Sequence, residues 1–327
     1  MTDSFNQDFL IATDQYQETM DSVVFPFLKE RETRHDLNGK DGSPLYCVSY
    51  RADDPAATIL LLHGFTENAL KYSELIYSLL QNHFSVLTYD QRGHGRSGRT
   101  PGISDSSVTH VNRFADYVDD LSVVCDRVLS GMPEPHMIFS HPMGGAVASL
   151  FLETRPEVFS AAVLCAPMIA PNTGAPALVA NLVCRAGCLL GRGKHRPFFL
   201  KPYSGPEDFD TSCATDPVRF SWYDRIKAAR PEFRNSVPTY RWTVEAIGVT
   251  KQILSPGAPE RIACPVLLTA ADKDFSVMPE PQKKFIARVP KGRYMFFRNS
   301  RHEIFRSTND VLFPWWHEVL SFFRNPC

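Results

Sequence analysis

Short apolar runs alternate with helical stripes along most of this 327-residue chain, and that alternation limits its fold more than any other feature. Thr58 to Leu62, Phe84 to Tyr89, Met137 to Phe139 and Ala161 to Cys165 read as strands, with Leu45 to Tyr50 before them. Ile59 to Leu62 is apolar at every position, as expected of a strand covered on both faces. Between the strands, Tyr72, Leu75, Ile76 and Leu79, and then Phe114, Val118, Leu121, Cys125 and Val128, recur at helical spacing. Such alternation predicts a mainly parallel sheet with helices on both faces.

The rhythm breaks from about Met168 to Ala258, a stretch rich in proline and aromatics with one apolar helix candidate, Ala177 to Leu190. It returns at Pro265-Val266-Leu267-Leu268, followed by a helix (Pro281 to Arg288), a strand (Tyr294 to Phe297) and a terminal helix (Val311 to Phe323). The simple account is an N-terminal extension (1–34), an α/β core (35–167 and 259–327) and an inserted lid (168–258).

Lys+Arg 35 against Asp+Glu 36 gives a net charge of -1, so no global field draws the chain to nucleic acid. The start, MTDSFNQDFL, has acids where a secretory signal needs a basic region, and no run reaches the roughly 18–20 apolar residues of a spanning helix. A reduced, cytoplasmic protein is expected, with contact at the inner face of the membrane left open. Cys47, Cys125, Cys165 and Cys264 lie in or beside apolar runs, where free cysteine packs as a small hydrophobe. Cys184 and Cys188 share a helix face but lack a second ligand pair, so no metal is expected.

In an open parallel sheet, chemistry collects at the carboxyl ends of the strands. Four such ends are marked here: His63-Gly64-Phe65, Ser140-His141-Pro142-Met143-Gly144, Asp272-Lys273-Asp274 and Arg301-His302-Glu303. Their order matches an α/β-hydrolase: oxyanion loop, nucleophile turn, acid, histidine. Gly93 to Gly98 also fits GxGxxG after a strand, but a loop, Arg99-Thr100-Pro101-Gly102, follows where a dinucleotide site needs a helix.

The pieces HGF at His63, YDQRGHGRSGR at Tyr89, HVNRFADYVDDL at His110, HPMGGA at His141, PTYRW at Pro238 and RHEIF at Arg301 stand in order over almost the whole chain. In these the sequence resembles the bacterial lysophospholipases and related monoglyceride lipases of the α/β-hydrolase superfamily. The resemblance implies a fatty-acyl ester hydrolase acting on lysophospholipids or monoacylglycerols. It assigns His302 as proton shuttle and the amides of Phe65 and Met143 as oxyanion donors. The family pattern Gly-x-x-Asp, with Ala271 in the glycine's place, selects Asp274 as the acid and leaves Asp272 as a solvated turn residue. No cofactor is implied, since this chemistry needs only side chains and backbone amides.

One departure is decisive. The turn that should read small-x-Ser-x-Gly carries Pro142 at the nucleophile position. Proline has no group that can attack a carbonyl, and its φ is fixed near about −65°, away from the strained turn that lifts a nucleophile. Pro142 is therefore expected to reshape the turn and disturb the Met143 amide. Ser140, two residues back, should stay in the strand about 6–7 Å away. Three readings remain: a lipolytic hydrolase, a non-catalytic descendant that binds acyl lipid or a protein partner, or a competent enzyme into which Pro142 was introduced.

No acid occurs between Val158 and Pro206, whereas Arg192, Lys194 and Arg196 follow the apolar stretch. That composition suits either a surface for anionic lipid or a cover that solvates its cations.

Overall fold

The computed structural model describes residues 10–326. The strands are β1 (Glu32–Asn38), β2 (Pro44–Tyr50), β3 (Ala57–Leu62), β4 (Phe84–Tyr89), β5 (Val108–Thr109), β6 (His136–Ser140), β7 (Ala161–Cys165), β8 (Val237–Pro238), β9 (Val266–Ala271) and β10 (Gly292–Phe297). The α-helices are α1 (Tyr16–Thr19), α2 (Phe25–Arg31), α3 (Ser73–Gln81), α4 (Ala115–Arg127), α5 (Met143–Thr154), α6 (Ala177–Gly187), α7 (Pro217–Ala229), α8 (Tyr240–Ile253), α9 (Pro279–Ile286) and α10 (Asn309–Arg324).

Eight strands form one sheet in the order β1-β2-β4-β3-β6-β7-β9-β10. Only β2 runs against its neighbours; the rest are parallel. The apolar runs explain the layering. Along β3, Leu60 and Leu62 enter the core beneath α4, α5 and α8, while Ile59 and Leu61 enter the opposite core with α3 and α10. Side chains two apart share a face, so a strand buried on both faces is apolar along most of its length, and its one hydroxyl, on Thr58, donates to the Pro133 carbonyl at 2.7 Å. Each such leucine contributes about 1.5–3 kcal/mol by leaving water.

Two features differ from the sequence reading. β1 was not expected, and the boundary after residue 34 falls inside it. Its residues, ETRHDLN, are mostly exposed because it is an edge strand held by backbone pairing to β2. Residues 168–258 also contain α7 and α8 beyond the single helix anticipated. α8 places Trp242, Ala246, Val249 and Ile253 in the main core, so the rear of this insertion is built into the body. The two-residue pair β5–β8 ties it to the segment before α4.

No helix among the described residues is long and apolar enough to cross a membrane.

Candidate active site

His302 lies in the loop after β10, and Asp274 in the loop after β9. The His302 Nδ1 is 2.7 Å from Asp274 Oδ2, and both side chains are buried. The other carboxylate oxygen, Oδ1, accepts the amides of Ser276 (2.8 Å) and Val277 (3.2 Å). Burial opposes ionisation of Asp274, but His302 and those two amides outweigh it and hold the carboxyl below its ordinary value. Asp272 is exposed and caps the turn by accepting the Ser300 amide at 3.1 Å.

The turn between β6 and α5 is where the sequence departs. Pro142 has φ −55° and ψ −53°, so the residue ahead of α5 already has helical backbone. It is absent from the positive-φ residues, which outside glycine are Asp54, His83, Ala166 and Asn299 among the described residues. The pyrrolidine ring is buried against the oxyanion loop. A Cβ on Gly64 would stand 2.6 Å from its Cδ, so only glycine admits the ring there. The Pro142 carbonyl accepts the amides of Ala146 (3.1 Å) and Met168 (2.8 Å). Ser140 is fully buried, and its hydroxyl points across the sheet to the Val163 carbonyl at 3.5 Å. Met143 opens α5, and the Phe65 ring packs on Trp242 with centroids 4.1 Å apart.

Sequence reasoning missed a charged cluster beneath these residues. Glu67 takes the Gly64 amide at 2.5 Å, the Tyr72 hydroxyl, and His141 Nδ1 at 3.1 Å. Lys71 bridges Glu67 (3.1 Å) and Glu303 (2.5 Å), and Arg306 closes on Glu303 at 2.6 Å. His141 also meets the His302 carbonyl through Nε2 at 3.2 Å. All of these side chains are buried. Burial opposes charge on Glu67 and Glu303, yet their cationic partners keep both below the ordinary carboxyl range. The cluster fastens the oxyanion loop to the histidine loop. The available signal was the spacing of Glu67 and Lys71 by one helical turn, which reads equally well as a solvated pair. A polar cavity of about 400 Å³ opens beside it, with Thr66, Lys71, Glu303 and Arg306 on one wall and Tyr203 and Lys227 on the other.

Arg192, Lys194 and Arg196 lie beyond α6. Arg192 is exposed, Lys194 donates to the Pro101 carbonyl at 3.2 Å, and Arg196 to the Leu200 carbonyl at 2.5 Å. Nearby Leu182, Leu189, Leu190 and Phe198 are 59%, 89%, 78% and 80% exposed. Among the described residues, no group of three or more His, Cys, Asp or Glu side chains could hold a metal ion.

The chain as a whole has relatives among known proteins. Residues 53–309 match the family model described as serine aminopeptidase S33. Lysophospholipase L2 of Escherichia coli (strain K12) is 30% identical over 317 residues, covering 91% of this chain and 89% of that protein. The chain belongs to the lysophospholipase and monoglyceride lipase branch of the α/β-hydrolases. Within that branch, the monoglyceride lipase of Mus musculus is 32% identical over 139 residues, 42% of this chain and 43% of its own length. The fold of this α/β-hydrolase is shared by a thermostable carboxyl esterase from Bacillus coagulans, with a TM-score of 0.71 and 18% identity over 90% of this chain and 98% of that one.

Proposed function

We propose that this α/β-hydrolase binds lysophospholipids or monoacylglycerols at its candidate site and no longer cleaves them. The observation that carries the reading is Pro142, in helical backbone at the nucleophile position, beside a formed Asp274–His302 pair. In an active relative, a serine would take the acyl group while His302 relayed its proton, Asp274 oriented the imidazole, and the Phe65 and Met143 amides received the oxyanion. Here nothing at position 142 can accept the acyl group. Loss of a nucleophile costs on the order of 10⁶ in kcat. Residues 35–167 and 259–327 form the hydrolase core in this reading, and 168–258 the lid.

The test is hydrolysis of lysophosphatidylcholine and of a short p-nitrophenyl ester. The unaltered chain is expected to turn over neither, and Pro142→Ser to turn over both. Strong turnover by the unaltered chain, abolished by Ser140→Ala, would overturn the assignment.

Membrane contact through the lid is supported by the exposed apolar side chains around α6, the cations beyond it and the absence of acid from Val158 to Pro206. Each cation near an anionic surface contributes about 1 kcal/mol, so neutralising Arg192, Lys194 and Arg196 should weaken vesicle binding roughly 100-fold at low salt. Equal binding to neutral and anionic vesicles would contradict this.

A further inference from the structure

A cavity of about 750 Å³ lies away from the candidate site, walled by the N-terminal helical segment, β2, the turn before α3, and α7. None of Phe65, Pro142, Asp274 or His302 lines it. Its apolar walls come from Phe25 and Leu28, Val48, Leu70 and Ile226, and its rim carries Lys29, Arg96 and Arg230. This size and lining fall in the range of small-molecule sites, about 300–1,000 Å³ of mostly apolar wall with a few convergent polar groups.

The charge around it is uneven. Its acids are already engaged: Asp21 pairs with Arg225 at 3.1 Å and accepts the Trp222 indole at 3.3 Å, and Glu32 accepts the Tyr50 hydroxyl at 3.3 Å. The cations keep partners that leave their charge uncompensated: Arg96 donates to the Tyr46 hydroxyl at 2.5 Å and lies over the Tyr46 and Phe233 rings, and Arg230 lies over Phe233 and reaches Glu232 at 4.0 Å. The geometry favours an anion at the rim above an apolar trough. An extended peptide is a poor occupant, because β2 is paired on both edges and offers no free backbone.

We propose that this cavity is a second site, for a single acyl chain with an anionic head. The chain lies between Leu28, Val48, Leu70 and Ile226, and the head meets Lys29, Arg96 and Arg230. The proposal does not depend on what Pro142 does. An occupant would touch the N-terminal segment and α7 together. α7 in turn reaches the histidine loop, since the Arg219 carbonyl accepts Arg306 at 2.9 Å. A ligand here would therefore brace that loop from behind.

Two tryptophans distinguish the sites. Trp222 stacks on Phe25 at 5.4 Å, beside this cavity, whereas Trp242 packs on Phe65 at the candidate site. Sodium dodecanoate, titrated below its micelle-forming concentration, is expected to change the fluorescence saturably. The change should be lost in Trp222→Phe and kept in Trp242→Phe. The exposed pair Lys29→Glu/Arg96→Glu should weaken dodecanoate about 100-fold, the loss of two charge-assisted contacts, and leave dodecanol nearly unchanged. A lysophosphatidate with the same chain separates the two sources of such a ligand: the tighter of the two names the head, provided both depend on Trp222. A change that survives Trp222→Phe and vanishes in Trp242→Phe would overturn the proposal. So would equal weakening of acid and alcohol, or no saturable change at all.

Discussion

The acid–histidine arm and the nucleophile turn end neighbouring parts of one sheet, but their backbones tell different stories. Asp274 and His302 meet at 2.7 Å, and Asp274 is held by two amides of its own loop. Pro142 instead continues smoothly into α5, with none of the strain that projects a side chain from such a turn. The difference teaches that the two arms share a support, through His141, Glu67 and Lys71, that bypasses the side chain of residue 142. The His302 loop is anchored through Glu303 to Lys71 and Arg306, and none of those contacts involves residue 142. In the proposed reading, a nucleophile can therefore be lost without dissolving the rest.

The comparison breaks first at Glu303. Removing one partner of a buried charged cluster leaves the others uncompensated, so Glu303→Ala should destabilise the fold by about 3–5 kcal/mol in urea. A cost under about 1 kcal/mol, the value of an exposed pair, would mean that the histidine loop is held some other way.

A smaller effect sharpens the acid–histidine arm. In the folded chain Asp274 titrates below its usual 3.8, so its bonding stabilises the fold above that value and is lost as pH falls through the lower folded value. His302→Ala should cost about 1.5–3 kcal/mol near pH 6. That cost should shrink as pH falls from the usual 3.8 toward the lower folded value, where Asp274 becomes protonated. An equal cost at both ends would show that the pair contributes packing alone.

Much of the layout was legible in the sequence because burial on two faces favours apolar runs, as at Ile59 to Leu62 in β3. β1 was not, since an edge strand that is mostly exposed and packs only Leu37 against the main core needs no apolar pattern. α7 escaped for the opposite reason. It buries Arg219 and Lys227 as well as Trp222, so its stripe looks polar until their partners are known. Arg219 meets Glu74 at 3.0 Å and Asp216 at 2.9 Å, and Lys227 meets Glu207 at 2.5 Å. The Glu67–Lys71–Glu303–Arg306 cluster was hidden likewise, because its two halves lie 232 residues apart and each half alone reads as solvated charge.

The most direct measurement is the intact mass of the protein after exposure to an alkyl fluorophosphonate, which marks an activated serine. The unaltered chain should gain no adduct. Pro142→Ser should gain one, located on residue 142 and abolished by adding His302→Ala. An adduct on the unaltered chain, or none on Pro142→Ser, would contradict a site silenced at a single turn.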